Sequence, residues 1–140
     1  MRAEFSAFRA RLEAHPILAG KIDTAIRITT TGEAVRENYV VAYPASPTRL
    51  DDDRYTAVPT AGSASDFDYD VRYVAVDSDG VLILADAAHK QLVGHRLTVA
   101  GRACSPLRLV PGVEEGRVEF DRASRLYYLD DTFRFTSRPA

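Results

Sequence analysis

The residues best placed by type to do chemistry are Arg49, Asp51, Asp52, Asp53, Arg54 and Tyr55, in the stretch "RLDDDRY". Three carboxylates in a row could hold a divalent cation or share acid/base work. Successive residues of an extended chain point to opposite sides, however, so three adjacent carboxylates converge only in a special turn. No histidine lies nearby to complete a ligand set, and Arg49 and Arg54 neutralise the charge locally. Metal sites are recognised by ligand type and convergent geometry, neither of which this run supplies. It reads as a solvated or interface loop ahead of a metal site.

Other candidates are weighed the same way. Asp66-x-Asp68-x-Asp70 opens like a calcium loop, but the sixth position is Val71, where a sharp turn needs glycine, and the twelfth is Asp77 rather than glutamate. Phe67, Tyr69 and Val71 interleave at a strand period, so the aspartates read as a carboxylate row on an exposed strand face. Such a row also protects a sheet edge from wrong pairing. Cys104 could act as a nucleophile with His89 or His95, yet "RACSP" carries no nucleophile signature. A lone cysteine on a strand reads as a small core residue. His89 and His95 are six residues apart and do not share a helix face as an i,i+4 pair would; His95 suits a helix C-terminus. Glycine-rich phosphate loops are absent from the sequence. The closing "RLYYLDDTFRFTSR" mixes bases and aromatics around two aspartates, and reads as a sheet strand rather than a stacking platform for nucleic acid. No enzymatic constellation survives.

The elements that carry these residues follow from periodicity. Phe5, Phe8 and Leu12 make an apolar stripe over the first fifteen residues, with Arg2, Glu4, Arg9, Arg11 and Glu13 around it, and Pro16 ends the helix. Residues 21–30 read as a strand, 31–33 as a turn, and 38–43, "NYVVAY", as an inner strand stopped by Pro44 and Pro47. Residues 44–66 form a long irregular stretch with three prolines and an embedded short strand at 55–58; loops of this length are usually functional or mobile.

Residues 66–77 give the clearest strand. Phe67, Tyr69, Val71, Tyr73 and Ala75 lie on one face, and Asp66, Asp68, Asp70 and Arg72 on the other. From Val74 both faces are apolar, as for a strand entering from a wet edge and ending in the core. Asp77 to Gly80 cap a second helix running to about Val93, with Val81, Leu84, Ala85, Ala88 and Leu92 inward and Gly94 as its C-terminal cap. "RLTVAGRACSPLRLV" reads as two short strands around Gly101, and "RVEFDRASRLYYLDDTFRFTS" as a hairpin-like pair bending near Asp130. The sum is an α+β domain: a mostly antiparallel β-sheet with two α-helices packed on one face, plus a long inter-strand loop or hairpin.

The totals agree. A chain of 140 residues is one domain, 1–140, large enough to bury a core without staples. Net charge is −2, which argues against a nucleic-acid-binding surface spread over the whole molecule. One cysteine excludes an internal disulfide and a multi-thiolate zinc site. The opening residues lack the apolar core of a secretory signal, and "VLILA" is too short to cross a bilayer. A cytoplasmic or particle-associated protein is expected.

The order of segments resembles the tail-terminator proteins of long, non-contractile-tailed bacteriophages, particularly of phages infecting actinobacteria. It is carried by "FRARLEAHPILAGKI", "ENYVVAYPASPTRLDDDRYTAV", "DFDYDVRYVAV", "HKQLVGHRLTVAGRACSPLRL" and "LYYLDDTFRFTSR", and covers most of the chain. The resemblance implies a structural virion protein with no enzymatic activity and no cofactor. It implies a homo-oligomeric ring, typically a hexamer, that caps the head-proximal end of the tail tube, ends tube polymerisation and offers the head-tail joining surface. The implied location is the neck of the virion tail, and the host cytoplasm during assembly.

Implied partners are further copies of the chain, the tail tube protein, the tape-measure protein and a head-completion or neck protein; DNA would pass through the channel without sequence-specific binding, and no membrane is involved. Acidic residues facing the lumen would let it slide. A closed ring needs two different faces of each subunit to match. Residues 47–66, with Arg49, Asp51, Asp52, Asp53, Arg54 and Tyr55 at their centre, are the expected subunit or tube contact. Tyr43, Tyr55, Tyr69, Tyr73, Tyr127 and Tyr128 are candidate anchors, Tyr69 and Tyr73 being expected in the core instead. Two other classes stay open: another ring-forming neck protein, such as a head-completion or stopper protein, and a small enzyme using Asp51 to Asp53 or Cys104.

Overall fold

The computed structural model describes residues 1–49, 64–110 and 116–140. Helix α1 spans Arg2–Glu13 and is followed by the two-residue strand β1, Ile22–Asp23. Strands β2 (Tyr39–Ala42), β3 (Thr48–Arg49) and β4 (Ser65–Ala75) come next, then helix α2 (Ser78–Leu92). The chain closes with β5 (Arg102–Cys104), β6 (Arg108–Val110), β7 (Glu119–Asp121) and β8 (Leu126–Pro139). All eight strands join one sheet, antiparallel except for the parallel pair β1–β2. The α+β expectation holds.

Two long strands form the spine. β4 and β8 pair without a break from Ser65↔Ser137 to Ala75↔Tyr127. Short strands flank them: β2 and β3 on the free side of β4, and β7, β6 and β5 in turn along β8. Alternation gives each long strand one apolar face. Phe67, Tyr69, Val71, Tyr73 and Ala75 of β4, with Leu129, Phe133 and Phe135 of β8, are buried under both helices. Phe8 and Leu12 of α1 and Val81, Leu84, Ala85, Ala88 and Leu92 of α2 close that core, the stripes expected from the sequence. Arg11 Nε donates to the Gln91 carbonyl at 2.7 Å and ties α1 to the last turn of α2.

The junction from β4 to α2 is tightly built. Asp77 caps the helix, accepting from the Gly80 amide at 2.6 Å, and Asn38 Oδ1 accepts from Val76 N–H at 3.0 Å. A Cβ on Gly80 would come within 2.9 Å of the Ala75 Cβ, which cannot swing away, and within 2.8 Å of Asn38 Nδ2 and Asp77 Oδ1, so the close approach itself favours glycine.

The structure corrects several expectations. The strand over residues 21–30 shrinks to Ile22–Asp23, with one further bridge, Ile28↔Ala34, around the turn at Gly32. β4 does not enter from an edge: β8 covers one side throughout, and on the other β3 pairs with Ser65 and Asp66 and β2 with residues 71–74. Its acidic row spans the gap between these two partners, with Asp68 and Asp70 on the stretch that neither pairs. Both short strands near Gly101 follow it, and before it there is only the bridge Arg96↔Pro106. The last hairpin bends at residues 122–125, where Arg125 takes a φ of 59°, and Asp130 lies mid-strand. Asp130 reads as a turn residue only until its cross-strand arginine is known. Glu4, expected among the exposed charges, is buried beside Ser137 Oγ (3.2 Å) and Arg102 Nε (3.8 Å), an arginine delivered from β5.

Candidate functional surface

On the face of the spine away from the helices, the polar residues of β4 meet those of β8 in register. Thr136 Oγ1 donates to Asp66 at 2.5 Å, and Thr132 Oγ1 to Asp70 at 2.6 Å. Between them Arg134 grips Asp68 through two nitrogens, at 2.7 and 2.8 Å. One step further, Arg72 grips Asp130 in the same fork-to-fork manner, at 2.7 and 2.9 Å. Its guanidinium also lies 4.5 Å from the Tyr128 ring centre, and the Tyr128 hydroxyl donates to Glu119 at 2.8 Å. The hydrogen bonds from Arg134, then its charge and that of Arg108, hold the Asp68 carboxyl below its ordinary pKa against a smaller opposing effect of burial.

The ladder satisfies its own hydrogen bonds, with two aspartates paired to arginines and two to threonine hydroxyls. Each carboxylate of β4 accepts from a donor directly across the sheet, which leaves no convergent, unsatisfied set of oxygens for a cation. Among the described residues, no group of three or more His, Cys, Asp and Glu is placed to hold a metal ion. The repeating Asp-x-Asp-x-Asp-x-Arg of β4 and Asp-x-Thr-x-Arg-x-Thr of β8 contain the signal: antiparallel and in register, the two patterns are complementary.

Beyond Arg72 the outer face turns apolar. Tyr39, Val41, Val74 and Leu126 form a second buried cluster, separate from the core under the helices. Arg27 sits over the Tyr39 ring at 4.8 Å, and its amide donates to the Tyr39 hydroxyl at 3.1 Å. A cleft of about 370 Å³ opens here, between the turn of residues 26–34 and the β7–β8 hairpin. Tyr39, Val74 and Leu126 line its floor, with Ile26, Asp121 and Arg122 around them; Phe120 borders it too, but its ring packs on Tyr127 at 4.8 Å, on the helix side of the sheet.

Besides the Glu4–Ser137 contact under α1, the inner face carries a polar contact under α2. His89 of α2 and Asp131 of β8 approach to 2.6 Å, and the His89 ring packs edge-on against Tyr73 and Phe133. Burial, and then the Asp131 charge, push the Tyr73 phenol well above its ordinary pKa. Cys104 is buried opposite Ser137, six residues along β8 from Asp131, about 20 Å at the rise of a strand. His89 and Cys104 therefore do not form a pair. Burial raises the Cys104 thiol pKa, the reverse of what an activated nucleophile needs.

Of the residues singled out in the sequence, Arg49 closes β3, its backbone paired with Ser65. Asp51, Asp52, Asp53, Arg54 and Tyr55, and the strand expected at 55–58, lie outside the described residues. Tyr69 and Tyr73 are core residues, as expected, while Tyr43, Tyr127 and Tyr128 are half-buried. The cleft escaped the sequence reading because its parts, Ile26, Val74, Phe120 and Leu126, come from four separate segments.

No protein-family model matches the chain, and no curated protein matches it. Among solved structures, the fold is similar to that of a chain from the virion of a native gene transfer agent particle. The TM-score is 0.62 at 16% identity, over 97% of this chain and 92% of that one. A second solved chain is similar with a TM-score of 0.56 and 13% identity, over 99% of this chain and 93% of its own. At such identities the likeness is one of fold.

Proposed function

We propose that this chain is a structural protein of a phage-like particle, and within it a tail terminator. On this reading a ring of copies seats on the head-proximal end of the tail tube, ends its growth and presents the surface to which the head joins. The observation that carries the particle role is the near end-to-end fold likeness to a gene transfer agent virion chain. The order of sequence segments narrows it to the terminator. The chemistry of the surface supports a binding role: the carboxylates of the ladder are spent on cross-strand partners, and beside them opens a cleft lined by both apolar and charged residues.

Electron microscopy of the purified protein, alone and mixed with growing tail tubes, tests the reading. Rings at one tube end and a fixed tube length are expected. Tubes that grow on uncapped, with the protein sedimenting with filled heads instead, would overturn the terminator role in favour of another neck ring.

A further inference from the structure

Among the described residues, Arg125 is the one non-glycine residue at a positive φ, 59°. A side chain occupies that left-handed region at a cost that glycine avoids. Arg125 closes the turn between β7 and β8, and the turn is held from within. The Asp121 carboxylate accepts from the Ala123 amide at 3.1 Å and from the Ser124 hydroxyl at 2.7 Å, and the Asp121 carbonyl accepts from the Arg125 amide at 2.7 Å. A second arginine of the same turn, Arg122, lines the cleft. A third, Arg36, donates to the Arg125 carbonyl at 3.3 Å.

All three arginines are exposed, and among the described residues none makes an ion pair. The carboxylates around them are committed elsewhere. Asp121 is bound inside the turn, Glu119 to the Tyr128 hydroxyl, Glu37 to Arg27 and Asp130 to Arg72. Of the neighbouring carboxylates, only Glu33 has no side-chain partner among the described residues. A guanidinium carries several N–H donors and no acceptor, so the hairpin tip holds donors well in excess of acceptors. Next to it lies the apolar floor of the cleft, Tyr39, Val74 and Leu126.

We propose that the hairpin tip and the cleft together receive a segment of a partner protein in which carboxylates flank an apolar side chain. The carboxylates supply the acceptors that Arg36, Arg122 and Arg125 lack, and the apolar side chain fills the cleft of about 370 Å³. A run of nucleic-acid phosphates would meet the arginines but leave that floor uncovered. Backbone strain persists where the surroundings over-determine it, and it gathers at functional sites; a rigid turn that holds an arginine where glycine sits more easily fits a side chain used at the surface. This contact does not depend on the terminator role.

Fluorescence anisotropy with three labelled probes tests it: a short peptide alternating aspartate and leucine, one alternating lysine and leucine, and a short single-stranded DNA. The aspartate peptide is expected to bind, and more weakly as salt rises. Arg122→Ala and Arg125→Gly are each expected to weaken that binding about tenfold. Arg125→Gly relieves the backbone as it removes the side chain, so it is expected to unfold no earlier than the parent. Ile26→Ser, in the cleft lining, is expected to weaken binding without changing its salt dependence. Full binding by folded Arg122→Ala and Arg125→Gly overturns the proposal, as does equal affinity for the lysine peptide. Tighter binding of the DNA overturns the protein partner and gives the arginines to phosphate. An Arg125→Gly chain that unfolds earlier assigns that side chain to the fold and removes it from the contact.

Discussion

The two faces of the β4–β8 spine are made by alternate pairs of the same two strands, yet they do different physical work. Inside, Phe67 stacks on Phe135 at 5.1 Å, and Phe8, Tyr69 and Phe133 pack around them. That face is held by apolar burial, which is large and tolerant of which neighbour supplies the contact. Outside, Asp68 meets Arg134 and Arg72 meets Asp130 with half-exposed side chains. Exposed ion pairs contribute little stability, but they discriminate between registers. A one-residue slip would turn the aromatic face outward. A two-residue slip keeps the faces, and here the charges decide. In one direction Asp70 would oppose Asp130; in the other Asp130 would oppose Val74. The inner face supplies the energy of pairing and the outer face fixes its alignment.

Substitutions can break that contrast. Phe133→Ala, at the centre of the inner face, is expected to cost about 3–5 kcal/mol in urea unfolding, and a loss below ~1 kcal/mol would sink the assignment of the energy to this side. Tyr69→Phe should go the other way. Its hydroxyl is buried with no hydrogen-bond partner among the described residues, and burial raises its pKa. Removing an unpaired buried hydroxyl is expected to stabilise by about 1 kcal/mol; a clear destabilisation would reveal a partner. On the outer face, a double-mutant cycle of Arg72→Ala and Asp130→Ala should give a coupling of about 0.5–1 kcal/mol that shrinks in 1 M salt.

The smallest effect concerns acid. Asp68 has its folded pKa depressed by Arg134, below the unfolded value of about 3.9. Its contribution is therefore present above about pH 4 and lost as pH falls through the folded pKa. Asp68→Asn should lower stability at neutral pH and flatten the acid limb of the stability profile. An acid limb identical to that of the parent protein would place the titration elsewhere.

Much of this was legible in the sequence. The period-two pattern of residues 66–77 and the stripes Phe8–Leu12 and Val81–Leu92 reappear as β4, α1 and α2, because local alternation decides which side of an element can be buried. Asp77 as a helix cap and Gly94 at positive φ just beyond the helix were likewise local chemistry. Residues 21–30 misled for the opposite reason. β-branched composition favours a strand but supplies no partner, and only Ile22–Asp23 found one beside β2.

By itself, then, the sequence determined the fold class, the two helices, the central strand and the apolar face each presents. The tertiary structure decided who faces whom. It made Asp68 and Arg134 partners across 66 residues, buried Glu4 beside an arginine from β5, and parted Cys104 from His89. It also assembled the cleft from four segments. The physical reason is range. Periodicity and capping act over a few residues and are written in order along the chain. A carboxylate's partner, or a cleft's opposite wall, depends on register and packing that exist only once distant strands have paired.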